Sequence, residues 1–170
     1  MMLTYNRSDN LKILGYSDAD FAGCVDTRKS TSGYVFTLAG GAVSWKSCKQ
    51  SLVASSTMQA EFVACYEALG QAVWLKNFIP GLKIVDSITK PITLYCDNQA
   101  AVFFSSNNKV SGAAKHIDIK YRIVKERIQD QTIRIEHIRT KSMLADPLTK
   151  GLPPNLFQQH AKDMGLVDSL

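Results

Sequence analysis

Strand-like and helical runs are unevenly distributed along the chain. Three β-rich runs come first, one long helical run follows, and only then do strands and helices alternate. "LKILGYSDADFAGC" supplies the first run, and "YVFTLAGGAVSWKSC" supplies two more, joined hairpin-fashion through Ala39, Gly40 and Gly41. "SSTMQAEFVACYEALGQAVWLKNF" is the long helix, opened by Ser56 with Gln59 three residues on, a capping-box spacing, and stopped by Pro80-Gly81. A short strand in "ITLYCD" then enters a short helix in "NQAAVFFSSN". "KHIDIKYRIVKERIQD" sets Ile117, Tyr121, Val124 and Ile128 at helical spacing, and "TIRIEHIR" reads as the last strand. The order is βββαβααβ, with a final helical turn around "SMLAD". Strand–helix–strand alternation requires crossover connections, so parallel strands join an antiparallel start and the predicted sheet is mixed, within an α/β (mixed α+β) fold.

A chain of 170 residues with 45% hydrophobic content can bury one core, and no linker composition appears before "GLPPN". Residues 1–150 are therefore expected to form one domain, and residues 151–170 a C-terminal tail with room for a short helix. The net charge of +5 favours a polyanionic partner through counterion release. Cys24, Cys48, Cys65 and Cys96 lack the paired spacing of a zinc site, which points to reduced thiols in an intracellular protein. The sequence shows no signal peptide and no apolar run of membrane-spanning length, so no membrane partner is expected.

Carboxylates in apolar settings carry the chemistry. Asp18 and Asp20 lie within the first strand, where an unpaired charge is costly, and their spacing of two aims both to one side of a regular strand. Asp97 stands where a strand gives way to a helix, at the carboxyl-end crevice of an open α/β sheet, although either it or Asn98 suits a helix cap. Glu61 shares a helical face with Ala64, Cys65, Ala68 and Ala72, a stripe of small side chains that turns it toward the interior. Asp146, before Pro147, reads equally as a helix start or as a fourth acid. Clustered oxygens without Cys or His ligands suit hard cations such as Mg²⁺. A pair of such ions can activate water on one side of a phosphodiester and stabilise the leaving oxygen on the other.

The chain resembles the ribonuclease H domain of copia-type LTR retrotransposon polyproteins from about Leu11 to Lys150. The resemblance is carried in order by "GYSDADFAGC", "RKSTSGYVF", "VSWKSCKQSLVASSTMQAEFVA", "LYCDNQAAV", "KHIDIKYRIVKERI" and "LADPLTKGL". It implies a ribonuclease H-like fold with a five-stranded mixed sheet flanked by helices. It also implies hydrolysis of the RNA strand of an RNA/DNA hybrid with two Mg²⁺ ions, Mn²⁺ being a substitute. Asp18, Glu61, Asp97 and Asp146 become the catalytic metal ligands, and Asp20 is a secondary choice. A polymerase domain of the same polyprotein is the implied protein partner, and a virus-like particle in the cytoplasm the implied location.

Two departures accompany the resemblance. The loop "RTKSM" lacks the histidine that many relatives carry before the last helix, and Gln59 stands where relatives often have another acid. His137, within a predicted strand, is read as structural. Candidate substrate-binding residues are Ser56, Thr57, Asn98, His116, Arg28 and Lys46, with Lys29 and Lys49 as further phosphate contacts. Ser56, Thr57 and Asn98 read equally as helix caps, and the basic residues as a solvated face. The alternative function is a catalytically weak or inactive module of the same fold that grips nucleic acid and supports a polymerase.

Overall fold

The computed structural model describes residues 1–7, 11–82, 90–107 and 115–168, the side chains of Lys115 and His116 excepted. Its strands are β1 (Met2–Leu3), β2 (Leu14–Asp20), β3 (Thr31–Leu38), β4 (Gly41–Lys49), β5 (Ile92–Cys96), β6 (Ile133–His137) and β7 (Leu166–Val167). Its helices are α1 (Thr57–Gly81), α2 (Gln99–Ser106), α3 (Lys115–Gln129) and α4 (Pro154–Asp163). Five strands form a mixed sheet in the order β4-β3-β2-β5-β6, with β2, β3 and β4 antiparallel and β5 and β6 parallel to β2. This is the mixed α+β arrangement that the uneven order of elements predicts.

Alternation along β3 divides the core between the two faces of the sheet. Phe36 packs with Phe62, Cys65, Ala68 and Ala72 of α1, Tyr121 and Val124 of α3, and Leu94 and Ile133 of the neighbouring strands. Val35 points the other way, onto Met143, Leu144 and Ala145. The small residues of α1 are what let that helix lie close to the sheet; Ala60, Ala64, Ala68 and Ala72 are all wholly buried. The β3–β4 hairpin turns at Ala39 (φ 54°) and Gly40 (φ 77°), consecutive left-handed residues that match the right-handed twist of the strands they join.

The segment around "SMLAD", read as a helical turn, is two 3-10 turns at Thr140–Ser142 and Asp146–Leu148. Beyond them α4 buries His160 and Ala161. β7 then pairs antiparallel with β1, and the Ala42 amide donates to the Met164 carbonyl at 2.8 Å. Both short strands are additions to the predicted order.

Candidate active site

The acids meet because two parallel strands end at different points. β2 and β5 stay in register from Leu14↔Thr93 to Ser17↔Cys96, where β5 stops while β2 continues along β3 to Asp20. Asp18 and Asp97 therefore follow the last registered pair on adjacent strands. Ser17 faces α1, its hydroxyl 3.2 Å from Cys65 Sγ, so the alternation of the strand sends Asp18 toward the opposite face, the one covered by the 3-10 turns.

Glu61 reaches the same gap from α1. It is 3% exposed, and its carboxylate accepts hydrogen bonds from the Ala19 amide and, at 3.8 Å, from the Cys96 thiol. Asn98 is the N-cap of α2, its Oδ1 accepting from the Ala101 amide at 3.0 Å. The cap is thus filled by Asn98, and the Asp97 carboxylate is left for other use. One oxygen from each of Asp18, Glu61 and Asp97 lies within 4.8 Å of the others. His137, exposed at the end of β6, donates from Nε2 to the Asp97 carbonyl at 3.1 Å.

Asp146 belongs to the same neighbourhood through a lysine. Lys150 Nζ lies 3.1 Å from Asp146 Oδ1 and 3.6 Å from Asp18 Oδ1. Asp146 Oδ1 receives no well-angled hydrogen bond, so its contact with Lys150 is charge attraction. The Thr149 hydroxyl donates to the other Asp18 oxygen, Oδ2. Gly33, paired with Asp18 across the β2–β3 ladder, makes this approach possible: a Cβ there would lie 2.7 Å from Thr149 Cγ2 and 2.9 Å from Leu148 Cβ.

Packing carboxylates into one low-dielectric gap raises their proton affinities. Burial pushes Glu61 up to about 10, with Cys96, Asp18 and Asp97 adding to the effect. Burial also raises Asp18, against the opposing pull of Thr149 and Lys150, and raises Asp146 against Lys150. Burial works against the charge of Lys150, yet Asp18 and Asp146 outweigh it and hold the ammonium above the ordinary lysine range. Buried carboxylates such as Asp18, Glu61 and Asp146, whose proton affinities are raised by burial, are short of positive charge. An all-oxygen donor set of this spacing fits a hard divalent cation.

The remaining candidates are more dispersed. Asp20 is half-buried and outside the three-acid group. Ser56 caps α1, accepting from the Gln59 amide at 3.2 Å, while the Gln59 side chain accepts from the Ser55 amide, one residue earlier than a strict capping box requires. Thr57 is exposed at the first turn of α1. Arg28, in the β2–β3 connection, and Lys46, on edge strand β4, are exposed, and among the described residues neither makes an ion pair with the acids. Lys49 Nζ sits 3.1 Å from Cys24 Sγ. The His116 side chain lies outside the described residues. Thr149 and Lys150 received no role from sequence; the available signal was a lysine four residues after Asp146, a spacing that brings side chains together where the chain turns tightly.

No protein-family model matches the chain. It is 40% identical over 156 residues to the retrovirus-related Pol polyprotein from transposon TNT 1-94 of Nicotiana tabacum, a match covering 92% of this chain. It is 34% identical over 161 residues to the retrovirus-related Pol polyprotein from transposon RE1 of Arabidopsis thaliana, covering 95%. Each match spans only 11% of the relative's own length. Among solved structures, LC11-RNase H1 in complex with an RNA/DNA hybrid superposes with a TM-score of 0.58 at 20% identity, over 81% of this chain and 94% of that one. At that identity the likeness establishes the fold.

Proposed function

We propose, from the premise that the chain is a ribonuclease H-fold relative of the Pol polyproteins of copia-type plant transposons, that it is a metal-dependent endonuclease cutting the RNA strand of RNA/DNA hybrids during reverse transcription. The observation that carries this reading is the convergence of Asp18, Glu61 and Asp97 oxygens to within 4.8 Å from three separate elements. Mg²⁺ is the proposed cofactor. The RNA/DNA hybrid and a polymerase domain of the parent polyprotein are the proposed partners, within an intracellular virus-like particle. No described helix is long and apolar enough to cross a membrane.

Asp18, Glu61 and Asp97 would hold the cation, with Asp146 beside them. A bound divalent ion supplies Lewis acidity, activating a water for in-line displacement at phosphorus and stabilising the leaving oxygen. The chain's own residues prepare that chemistry. Thr149 fixes one oxygen of Asp18, the Ala19 amide and Cys96 thiol orient Glu61, and His137 donates to the Asp97 carbonyl. Lys150 offsets part of the negative charge of Asp18 and Asp146, which would otherwise add to the repulsion of the substrate phosphates. A hybrid would be read by its backbone shape and 2′-hydroxyls, for which the exposed Thr57, Arg28 and Lys46 are the proposed contacts.

The test is cleavage of an end-labelled hybrid with Mg²⁺ or Mn²⁺, using Asp97→Asn as the control. Cation-dependent cutting of the RNA strand alone, lost in the variant, is the expected result. Tight hybrid retention with no cut product would support the nucleic-acid-binding module instead.

A further inference from the structure

The second half of α1 carries apolar side chains on opposite sides. Ala68, Ala72, Leu75 and Ile79 are buried in the core with Phe36 and Leu94, while Gly70, Trp74, Asn77, Phe78 and Gly81 form an exposed outer stripe. In a chain that is 21% charged, Lys76 is the only charged residue from Ala68 to Leu82, and its ammonium donates to the Gln131 carbonyl at 2.9 Å. Trp74 and Phe78 are 50% and 46% exposed and stack on each other, with ring centroids 4.5 Å apart and planes 14° from parallel. A helix with apolar residues on both faces is one that is covered on both. Gly70, one turn before Trp74, is a second and independent sign. Glycine inside a helix is destabilising relative to alanine, and a Cβ at 70 would meet nothing within 4 Å, so packing among the described residues gives no reason for it. Bare backbone beside the aromatic pair lets another surface approach closely.

We propose that this outer face of α1, from Gly70 to Leu82, is the docking surface for the polymerase domain of the parent polyprotein, which lays an uncharged apolar segment over Trp74 and Phe78. This rests on the polyprotein partner given under Proposed function and names the surface that meets it. In the TNT 1-94 and RE1 polyproteins the matched stretch is 11% of the chain, so most of the length able to cover the helix lies outside that stretch. Area decides against a second copy of this chain. At half exposure the two rings offer about 200 Å², against the roughly 800 Å² per partner of a stable free complex. A domain on the same polypeptide meets the patch at a high effective concentration, where so small a contact suffices.

Hydroxyl-radical footprinting with mass spectrometry reads the accessibility of each ring. The full chain is compared free and within the TNT 1-94 polyprotein, where it replaces the matched 156 residues. Trp74 and Phe78 should be oxidised about fivefold less in the polyprotein. Trp45, exposed on β4, should keep its rate, and the buried Phe36 and Phe62 should stay unmodified in both, reporting an intact fold. Gly70→Leu fills the open space: the free variant should melt no lower than the parent, and within the polyprotein it should return Trp74 to its free rate. Equal oxidation of Trp74 in the two settings, or protection that persists in Gly70→Leu, would overturn the proposal. The free chain gives an arm that needs no chimera: sedimentation should show a monomer with Trp74 as reactive as Trp45, and a dimer that protects Trp74 would also overturn it. No metal or hybrid enters these measurements, so failure of hybrid cleavage alone would count against the nuclease reading and leave the docking surface standing.

Discussion

Ser17 and Cys96 are the last registered pair of the parallel β2–β5 ladder, and the residues that follow them, Asp18 and Asp97, are brought side by side where only β2 continues. Glu61 then needs only to lean from α1 over the end of β5 to join them. The staggered strand ends are thus the structural basis of the site, and they give its electrostatics a definite sign.

Without a cation, folding stability should fall as pH rises. The folded state holds the Glu61 proton up to about 10, whereas the unfolded chain releases it near 4.5, so across that window the folded form binds more protons and loses its advantage with each rising unit. The raised Asp18 and Asp146 act in the same direction. Chemical denaturation in EDTA between pH 5 and 9 should show a downward slope approaching about 1.4 kcal/mol per pH unit for one fully linked group. Saturating Mg²⁺ should stabilise more at pH 8 than at pH 5, because its ligands must be deprotonated. A flat or rising profile in EDTA would contradict the assignment.

Glu61→Gln separates catalysis from folding. A neutral isostere replaces a side chain that is already protonated near neutrality, so stability in EDTA at pH 7 should change by less than about 1 kcal/mol, while hybrid cleavage should drop by about a hundredfold or more. Thermal melts and single-turnover cleavage check the two halves. A variant that keeps full cleavage would remove Glu61 from the site.

Gly33→Ala should disturb the acid-bearing turn. Its Cβ would meet Thr149 and Leu148 side-chain atoms at 2.7 and 2.9 Å and the Ala145 carbonyl at 3.3 Å, and backbone cannot yield as a flexible side chain can. Overpacking of this kind costs about 1–3 kcal/mol. Equilibrium unfolding would measure that loss, and cleavage should fall as Thr149 and Lys150 move away from Asp18. Unchanged stability would mean that the turn packs less closely than described.

Asn98→Ala removes the α2 cap and should cost about 1 kcal/mol, whereas Asn98→Asp keeps an acceptor for the Ala101 amide and should not. If Asn98 also contacts substrate, the Asp variant will raise KM for the hybrid while melting normally. Equal KM in both folded variants would leave Asn98 with capping alone.

Cys24 should be the reactive thiol. Hydrogen bonds from Thr27, and then the Lys49 ammonium, lower its pKa to about 6. Alkylation by iodoacetamide at pH 7 should modify Cys24 well before the buried Cys65 and Cys96, and Thr27→Val should shift its pH midpoint upward. Peptide mapping that finds Cys65 modified first would refute this.

Most of the sheet was legible because local patterns report it directly, whereas the acids stood out as carboxylates in apolar settings, with Asp97 and Asp146 open to a helix-cap reading and their grouping implied by the family resemblance. Period-two and period-3.6 runs mark β2–β6 and α1–α3, and the small stripe beside Glu61 identifies its inward face. β1 and β7 were not legible: strands of two residues carry no periodicity, and their pairing joins the two ends of the chain. The choice between Asp97 and Asn98 as helix cap was open in sequence, since both side chains can accept the amide, and only the backbone path at the end of β5 decides it. Lys150 was only faintly legible: its four-residue spacing from Asp146 hints at that contact, but its other partner, Asp18, lies 132 positions away.

The central claim, a cation shared by Asp18, Glu61 and Asp97, is tested most directly by substoichiometric Mn²⁺ added to the ¹⁵N-labelled protein. Paramagnetic broadening should appear together at the amides of Asp18, Ala19, Glu61, Phe62, Asp97 and Asn98, and should vanish from all of them in Asp97→Asn. Broadening confined to one of these segments, or centred elsewhere on the molecule, would contradict the account.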